Sequence, residues 1–293
     1  MTIRPRRSAL YMPGSNVRAM EKARILPVDC VILDLEDAVA PDRKEAARSA
    51  VVDTLRHGSF GSRELVVRIN ALDGAWGRDD IAALAKVAPD ALLLPKASSP
   101  GDIMLCAKRM RDAGIGEGVR LWAMMETPNA ILNADSLART ALDPASRLDV
   151  LVMGTNDLAK ETRARLIPGR ANMIPWLSTC VLAARAHGLD LLDGVFGDIN
   201  NGEGLLSECR QGADMGFDGK TLIHPSQIDI CNEVFSPSEA EVAWSRKVIA
   251  AFDLPENQGR GVIAVDGRMV ERLHAEMARR TLTIADAVAK LAA

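Results

Sequence analysis

Histidine is scarce in this chain of 293 residues. Only His57, His187, His224 and His274 are present, and no two have the HExxH spacing of a zinc site. The five cysteines, Cys30, Cys106, Cys180, Cys209 and Cys231, form no CxxC or other metal-ligand spacing. An odd, scattered set points to a reducing compartment and to thiols used as small packing groups. No GxSxG elbow occurs and no cysteine has an identifiable base partner, so serine and cysteine nucleophiles lack support. Charge of one sign is not in excess: 36 basic against 39 acidic residues give a net charge of -3. That excludes a general nucleic-acid footprint, although local basic clusters remain compatible with small anions. No run approaches the roughly 18 apolar residues of a membrane span. The segment after the basic Met1-Thr2-Ile3-Arg4-Pro5-Arg6-Arg7 is too short and polar for a signal-peptide core. A soluble, cytoplasmic protein with no nucleic-acid or membrane partner is expected.

What is present is a regular alternation. Short apolar runs at 8–12, 30–35, 65–69, 91–94, 121–125, 150–154, 189–193 and 219–223 read as buried parallel strands. Amphipathic stretches such as 16–25, 43–57, 78–86, 102–113 and 174–187 separate them. Eight such units predict an α/β fold, a (β/α)8 TIM barrel, over residues 1–235. An open doubly wound sheet is the rival. However, its glycine fingerprint is matched only at Gly114-Ile115-Gly116-Glu117-Gly118, which precedes a strand where it should follow one. Residues 236–293 form a C-terminal extension. There Ser236-Pro237-Ser238-Glu239 looks like a cap, a proline and first-turn acid opening a helix. The extension reads as either a helical cap or a lid.

Barrel chemistry sits in the loops after the strands. Those ends carry Asp34-Leu35-Glu36-Asp37, Arg68-Ile69-Asn70, Pro95-Lys96, Glu126, Asp157, Asp193 and Lys220. Glu126 and Asp157 follow neighbouring runs, so both carboxylates should enter one mouth. Hard oxygens meeting there suit Mg²⁺, which takes one or two carboxylates and completes its shell with water and substrate. An arginine in that mouth, Arg68, can hold a carboxylate or stabilise an enolate oxygen. Taken singly, Asp37 could just as well cap a helix and Arg68 could be a structural ion-pair partner. Lys96 could form a Schiff base or bind an anion.

Five segments, Tyr11-Met12-Pro13-Gly14-Ser15-Asn16, Val31-Ile32-Leu33-Asp34-Leu35-Glu36-Asp37-Ala38-Val39, Arg68-Ile69-Asn70, Met125-Glu126-Thr127-Pro128 and Leu222-Ile223-His224-Pro225-Ser226-Gln227-Ile228, run in order along the chain. Together they resemble the citrate lyase β-subunit-like branch of the HpcH/HpaI aldolase superfamily, which includes malyl-CoA and citramalyl-CoA lyases. The resemblance implies Mg²⁺ as cofactor and cleavage of a 3-hydroxyacyl-CoA into an acyl-CoA and an α-keto acid. It places Glu126 and Asp157 on the metal-ligand positions. Arg68 falls on the arginine that contacts substrate oxygens, and Glu36 and Asp37 on an acidic pair that holds metal-bound waters. Tyr11, Pro13 and Lys22 match positions near the CoA. Val265-Asp266-Gly267-Arg268-Met269-Val270-Glu271 resembles the segment whose acid serves a neighbouring subunit. The family acid is usually aspartate and here is Glu271, with Asp266 a weaker candidate. That segment implies a homo-oligomer, a trimer or hexamer. Two other outcomes stay open within the family, a malyl-CoA-type thioesterase and a citrate lyase β subunit acting on citryl-acyl-carrier protein. Outside it stands a non-catalytic barrel acting as an assembly partner.

Overall fold

The computed structural model describes residues 3–292. It divides into two compact units, Arg6–Asn232 and a second made of residues 3–5 with 233–292.

In the first unit eight strands close into a parallel barrel in sequence order. They are β1 (Ser8–Pro13), β2 (Cys30–Asp34), β3 (Glu64–Arg68), β4 (Ala91–Leu94), β5 (Arg120–Met125), β6 (Leu148–Met153), β7 (Asp190–Asp193) and β8 (Gly219–Leu222). Closure is made by β1 against β8, with Ser8, Ala9 and Leu10 opposite Lys220, Thr221 and Leu222. The expected (β/α)8 architecture is therefore the one observed, and helices such as Lys44–Arg56, Pro100–Asp112 and Ile174–Ala186 follow their strands. No described helix is long and apolar enough to cross a membrane.

Strand alternation explains the core. Ala9, Cys30, Ile32, Val66, Ala91, Leu93, Trp122, Met124, Val150, Val152 and Leu192 share one cluster with Tyr11 against it. Where a strand gives two members they are two residues apart, as one barrel face requires. Their sequence neighbours Leu10, Val31, Leu33, Val67, Leu92, Ala123 and Leu151 are equally buried. Burial on both faces is why the strands read as continuous apolar runs.

At the N-terminal ends of the strands an ionic plug closes the bore. Arg6 donates to both oxygens of Glu64 at 2.7 and 2.9 Å, to Asp149 at 2.7 Å and to Asp190 at 2.6 Å. Its guanidinium lies 5.3 Å from the Trp122 ring centroid. Burial disfavours the Arg6 charge, but three carboxylates reverse that and hold its pKa above the ordinary value.

The second unit is built on the helix Glu239–Asp253, a hairpin and the helix Arg272–Ala292. The first helix is capped by Ser238, whose hydroxyl accepts from Glu241 N–H at 3.2 Å while the Glu241 carboxylate accepts from Ser238 N–H at 2.7 Å. The cap thus falls on Ser238 rather than Ser236, and Pro237 precedes it, because the reciprocal Ser238–Glu241 pair opens the helix at Glu239. The hairpin pairs β9 (Val262–Val265) with β10 (Arg268–Glu271). Asp266 (φ 45°) and Gly267 (φ 76°) make the turn, both left-handed as a tight two-residue connection demands. Val248, Phe252, Ile263, Val265, Val270, Ala275 and Ala278 form its small core.

Candidate active site

The C-terminal ends of β4, β5 and β6 bring three charged groups together. Glu126 follows β5 directly and is 1% exposed. Asp157 lies in the first turn of Thr155–Thr162, the helix after β6. Lys96, two residues past β4, has left-handed backbone (φ 53°). That conformation is costly for a side-chain-bearing residue, and such positions cluster at functional sites. The Lys96 N–H donates to Glu126 Oε1 at 2.7 Å, and its Nζ donates to Asp157 Oδ1 at 2.9 Å. The same Nζ lies 3.9 Å from Glu126 Oε1 and 4.0 Å from Glu36 Oε1. Gly154 makes room: a Cβ there would stand 2.4 Å from Glu126 Cβ and 2.5 Å from Glu126 Oε2.

The opposite wall is Arg68, the last residue of β3. Its Nε and Nη2 donate to the two oxygens of Asp34 at 2.7 and 2.6 Å. Its Nη1 lies 3.0 Å from Glu36 Oε2 and donates to Asp37 at 3.4 Å. The guanidinium stacks 4.8 Å from the Tyr11 ring centroid. Asp34 also accepts the Glu36 and Ala38 N–H groups, at 2.9 and 3.0 Å. Lys44 grips the same loop from behind, donating to the Leu35 and Glu36 carbonyls at 2.8 and 2.7 Å. Tyr11, Asp34, Asp37, Arg68, Glu126 and Asp157 line a cavity of 320 Å³.

Burial sets the proton affinities here. It pushes the Glu126 carboxyl up to about 7 against the opposition of Lys96 and Arg68. Burial likewise raises Glu36 to about 7, with Arg68 opposing and Asp37 and Glu126 adding to the rise. The Tyr11 phenol is raised by burial despite Arg68. For Lys96 burial would lower the pKa, but the bond to Asp157 and the Glu126 and Glu36 carboxylates raise it. A lysine held charged among acids is unsuited to a Schiff base, which needs the free amine.

Other expected barrel residues stand outside this group. Lys22 is exposed on the helix Val17–Ala23 and does not line the mouth cavity. Pro13 ends β1 opposite Asp34. Asn70 is spent on Asp80, to which its side chain donates at 2.7 Å. Asp193 and Lys220 belong to a separate buried cluster, with Lys220 2.9 Å from Asp193 and 2.7 Å from Glu208, and Arg170 2.7 Å from Asp193. In the second unit Glu271 ends β10, and its N–H donates to His274 Nδ1 at 2.9 Å. Asp266 is used by the hairpin turn and pairs with Lys247 at 2.7 Å.

The donors fit a hard divalent cation. Glu126 and Asp157 already share one positive group, the Lys96 ammonium. Glu36 Oε2 is buried with no hydrogen-bond partner. Among the described residues no three His, Cys, Asp or Glu side chains converge into an all-protein metal cage. Two carboxylates with room for water and substrate is the pattern of Mg²⁺.

A closed parallel barrel with a carboxylate-and-arginine mouth at the strand ends is the architecture of an enzyme family of the aldolase type. The chain belongs to the HpcH/HpaI aldolase/citrate lyase family, whose model matches residues 7–225. It is 50% identical over 289 residues to a (3S)-malyl-CoA thioesterase of Cereibacter sphaeroides, covering 99% of this chain and 98% of that protein. It is 33% identical to the mitochondrial citramalyl-CoA lyase of Homo sapiens, over 97% of this chain and 86% of that one. Among solved structures, protein CitE from Mycobacterium tuberculosis in complex with magnesium, acetoacetate and coenzyme A superposes with a TM-score of 0.77 at 34% identity, covering 96% of this chain and 98% of that one.

Proposed function

We propose that this protein is a Mg²⁺-dependent enzyme acting on a short 3-hydroxyacyl-CoA of the malyl type, and that its reaction is hydrolysis of the thioester. The observation that carries this reading is Glu36: a buried carboxyl near pKa 7, 3.0 Å from Arg68 and beside the Glu126–Asp157 pair. A base poised near neutral pH can take a proton from water, as hydrolysis requires. Support also comes from the 50% identity to proteins named malyl-CoA thioesterases, against 33% for the lyase relative.

Glu126 and Asp157 would hold the ion. When bound, it supplies a chelation point for substrate oxygens and Lewis-acid polarisation. Arg68, fixed by Asp34, would present Nη1 to the carbonyl oxygen on which charge develops. Glu36 accepts a proton from the attacking water. The carbon–sulfur bond breaks, the thiolate takes up a proton, and free CoA leaves with the hydroxy diacid. Tyr11 closes the arginine's flank and excludes water from it. Lys22, outside the mouth on an exposed helix, is proposed as a contact for the distal phosphates of CoA.

Carbon–carbon cleavage is the second reading, favoured by the lyase relative and by the acid at Glu271. In that reaction Asp37 and Glu36 would order water, Arg68 would stabilise the enolate and Glu271 of a neighbouring subunit would protonate its carbon. Malyl-CoA with Mg²⁺ separates the two. Free thiol with malate supports hydrolysis, whereas acetyl-CoA with glyoxylate and no thiol release overturns it.

A further inference from the structure

Five carboxylates, Asp34, Glu36, Asp37, Glu126 and Asp157, surround the mouth with two cations between them. Arg68 is bound to Asp34 through two nitrogens. Lys96 is held differently, through two separable bonds. The backbone N–H is fixed on Glu126 by the left-handed conformation. The ammonium reaches Asp157 on a flexible stem that is 36% exposed, so it has a path to solvent.

We infer that Lys96 is a resident counter-cation: its ammonium holds the divalent ion's place between Asp157 and Glu126, and metal loading is an exchange in which Nζ leaves Asp157. This rests on the Mg²⁺ reading above. Glu36 Oε1, 4.0 Å from the same ammonium, adds a third carboxylate to those that this one lysine charge serves. An ammonium and a divalent ion pressed against one oxygen of Asp157 would repel strongly, so the two exclude each other. The backbone bond to Glu126 survives the exchange and keeps that carboxylate aimed. In the metal-free protein Lys96 prevents the acids from forcing one another apart.

Mg²⁺ titration calorimetry on the full chain, with melting in EDTA and in saturating Mg²⁺, tests this. Lys96→Met should bind Mg²⁺ at least about fivefold tighter, because a competitor has gone. It should melt below the wild type in EDTA, and the gap should close in Mg²⁺. Lys96→Arg, which keeps the charge and can hold a carboxylate through two nitrogens, should melt like the wild type in EDTA and bind Mg²⁺ more weakly. Equal or weaker Mg²⁺ affinity in Lys96→Met, or a melting gap untouched by Mg²⁺, overturns the exchange. If Lys96→Met does not fold, unchanged or tighter Mg²⁺ binding by Lys96→Arg overturns it. Absence of Mg²⁺ binding by the wild type would instead remove the metal reading, and the exchange with it.

Discussion

Arg68 gives two guanidinium nitrogens to the single carboxylate of Asp34, at 2.7 and 2.6 Å. The fork fixes the arginine's plane and leaves Nη1 as the group pointing toward Glu36 and Asp37. Lysine cannot reproduce that fork. Arg68→Lys should lower kcat/KM by about 10²–10³-fold, the loss typical of a missing charge-stabilising donor. Asp34→Asn should cause a smaller loss, because the arginine remains but is no longer clamped at both oxygens. Mg²⁺ affinity measured by calorimetry should stay near wild type in Arg68→Lys. A variant with wild-type turnover would remove Arg68 from the chemistry.

Glu36 and Glu126 give the metal-free protein a signed pH dependence. Each carboxyl sits near 7 rather than the ordinary 4.5, so the folded chain binds these protons more tightly than the unfolded one. Their contribution to stability is complete below the unfolded value and disappears as the pH rises through about 7. Melting in EDTA should therefore fall between about pH 5.5 and 7.5, and the fall should shrink in the Glu36→Gln, Glu126→Gln double variant. Mg²⁺ affinity should move the other way and rise with pH, because the ion displaces protons from its ligands. A melting temperature that rises equally in both proteins would contradict the burial argument.

The barrel was legible because buried parallel strands are continuous apolar runs, and all eight expected runs coincide with strands to within two residues. The candidate site was legible only as a collection of strand-end polar residues. Asp193 and Lys220 belong to the same strand-end pattern, yet they turn into a buried cluster with Arg170 and Glu208. Local pattern does not say which polar end faces the bore and which pairs behind it. Two residues carry no such signal for the same reason. Asp34 reads as part of an acidic run, and its clamp on Arg68 arises from the β2–β3 register that sets the two opposite each other. Lys44 sits in an ordinary helix start, and its grip on Leu35 and Glu36 depends on a loop returning to it. Lys96 carried no signal of its left-handed backbone, since neither glycine nor asparagine stands there.

Arg6 should matter to stability alone. It is 9% exposed, lies at the barrel end away from the mouth and satisfies three acids. Arg6→Met would strand Glu64, Asp149 and Asp190 without their shared cation. Breaking a buried ionic set costs about 3–5 kcal/mol. The melting temperature should drop on the order of 10 °C for a chain of this size. Turnover at low temperature should be unchanged. Calorimetric melting and an assay at 15 °C check both halves, and a fall in turnover without a fall in melting temperature would contradict the assignment.

Gly154 tests whether the placement of Glu126 is what binds the ion. Its φ is ordinary, so an added methyl meets no backbone penalty; the obstacle is Glu126 itself, at 2.4 and 2.5 Å. Contacts that short force the carboxylate aside, because Met124 Cε at 3.0 Å crowds the same place. A shift of about 1 Å in a catalytic group can cost on the order of 100-fold. Gly154→Ala should thus lower kcat/KM by that order and weaken Mg²⁺ by at least tenfold, since the Glu126 oxygen no longer meets Asp157 around one cation. Folding should suffer as well, because Glu126 Cβ is fixed to the backbone just past β5 and is buried, so it cannot yield without that backbone. Wild-type Mg²⁺ affinity in the alanine variant would mean that the ion does not depend on Glu126, and the proposed site would have to move.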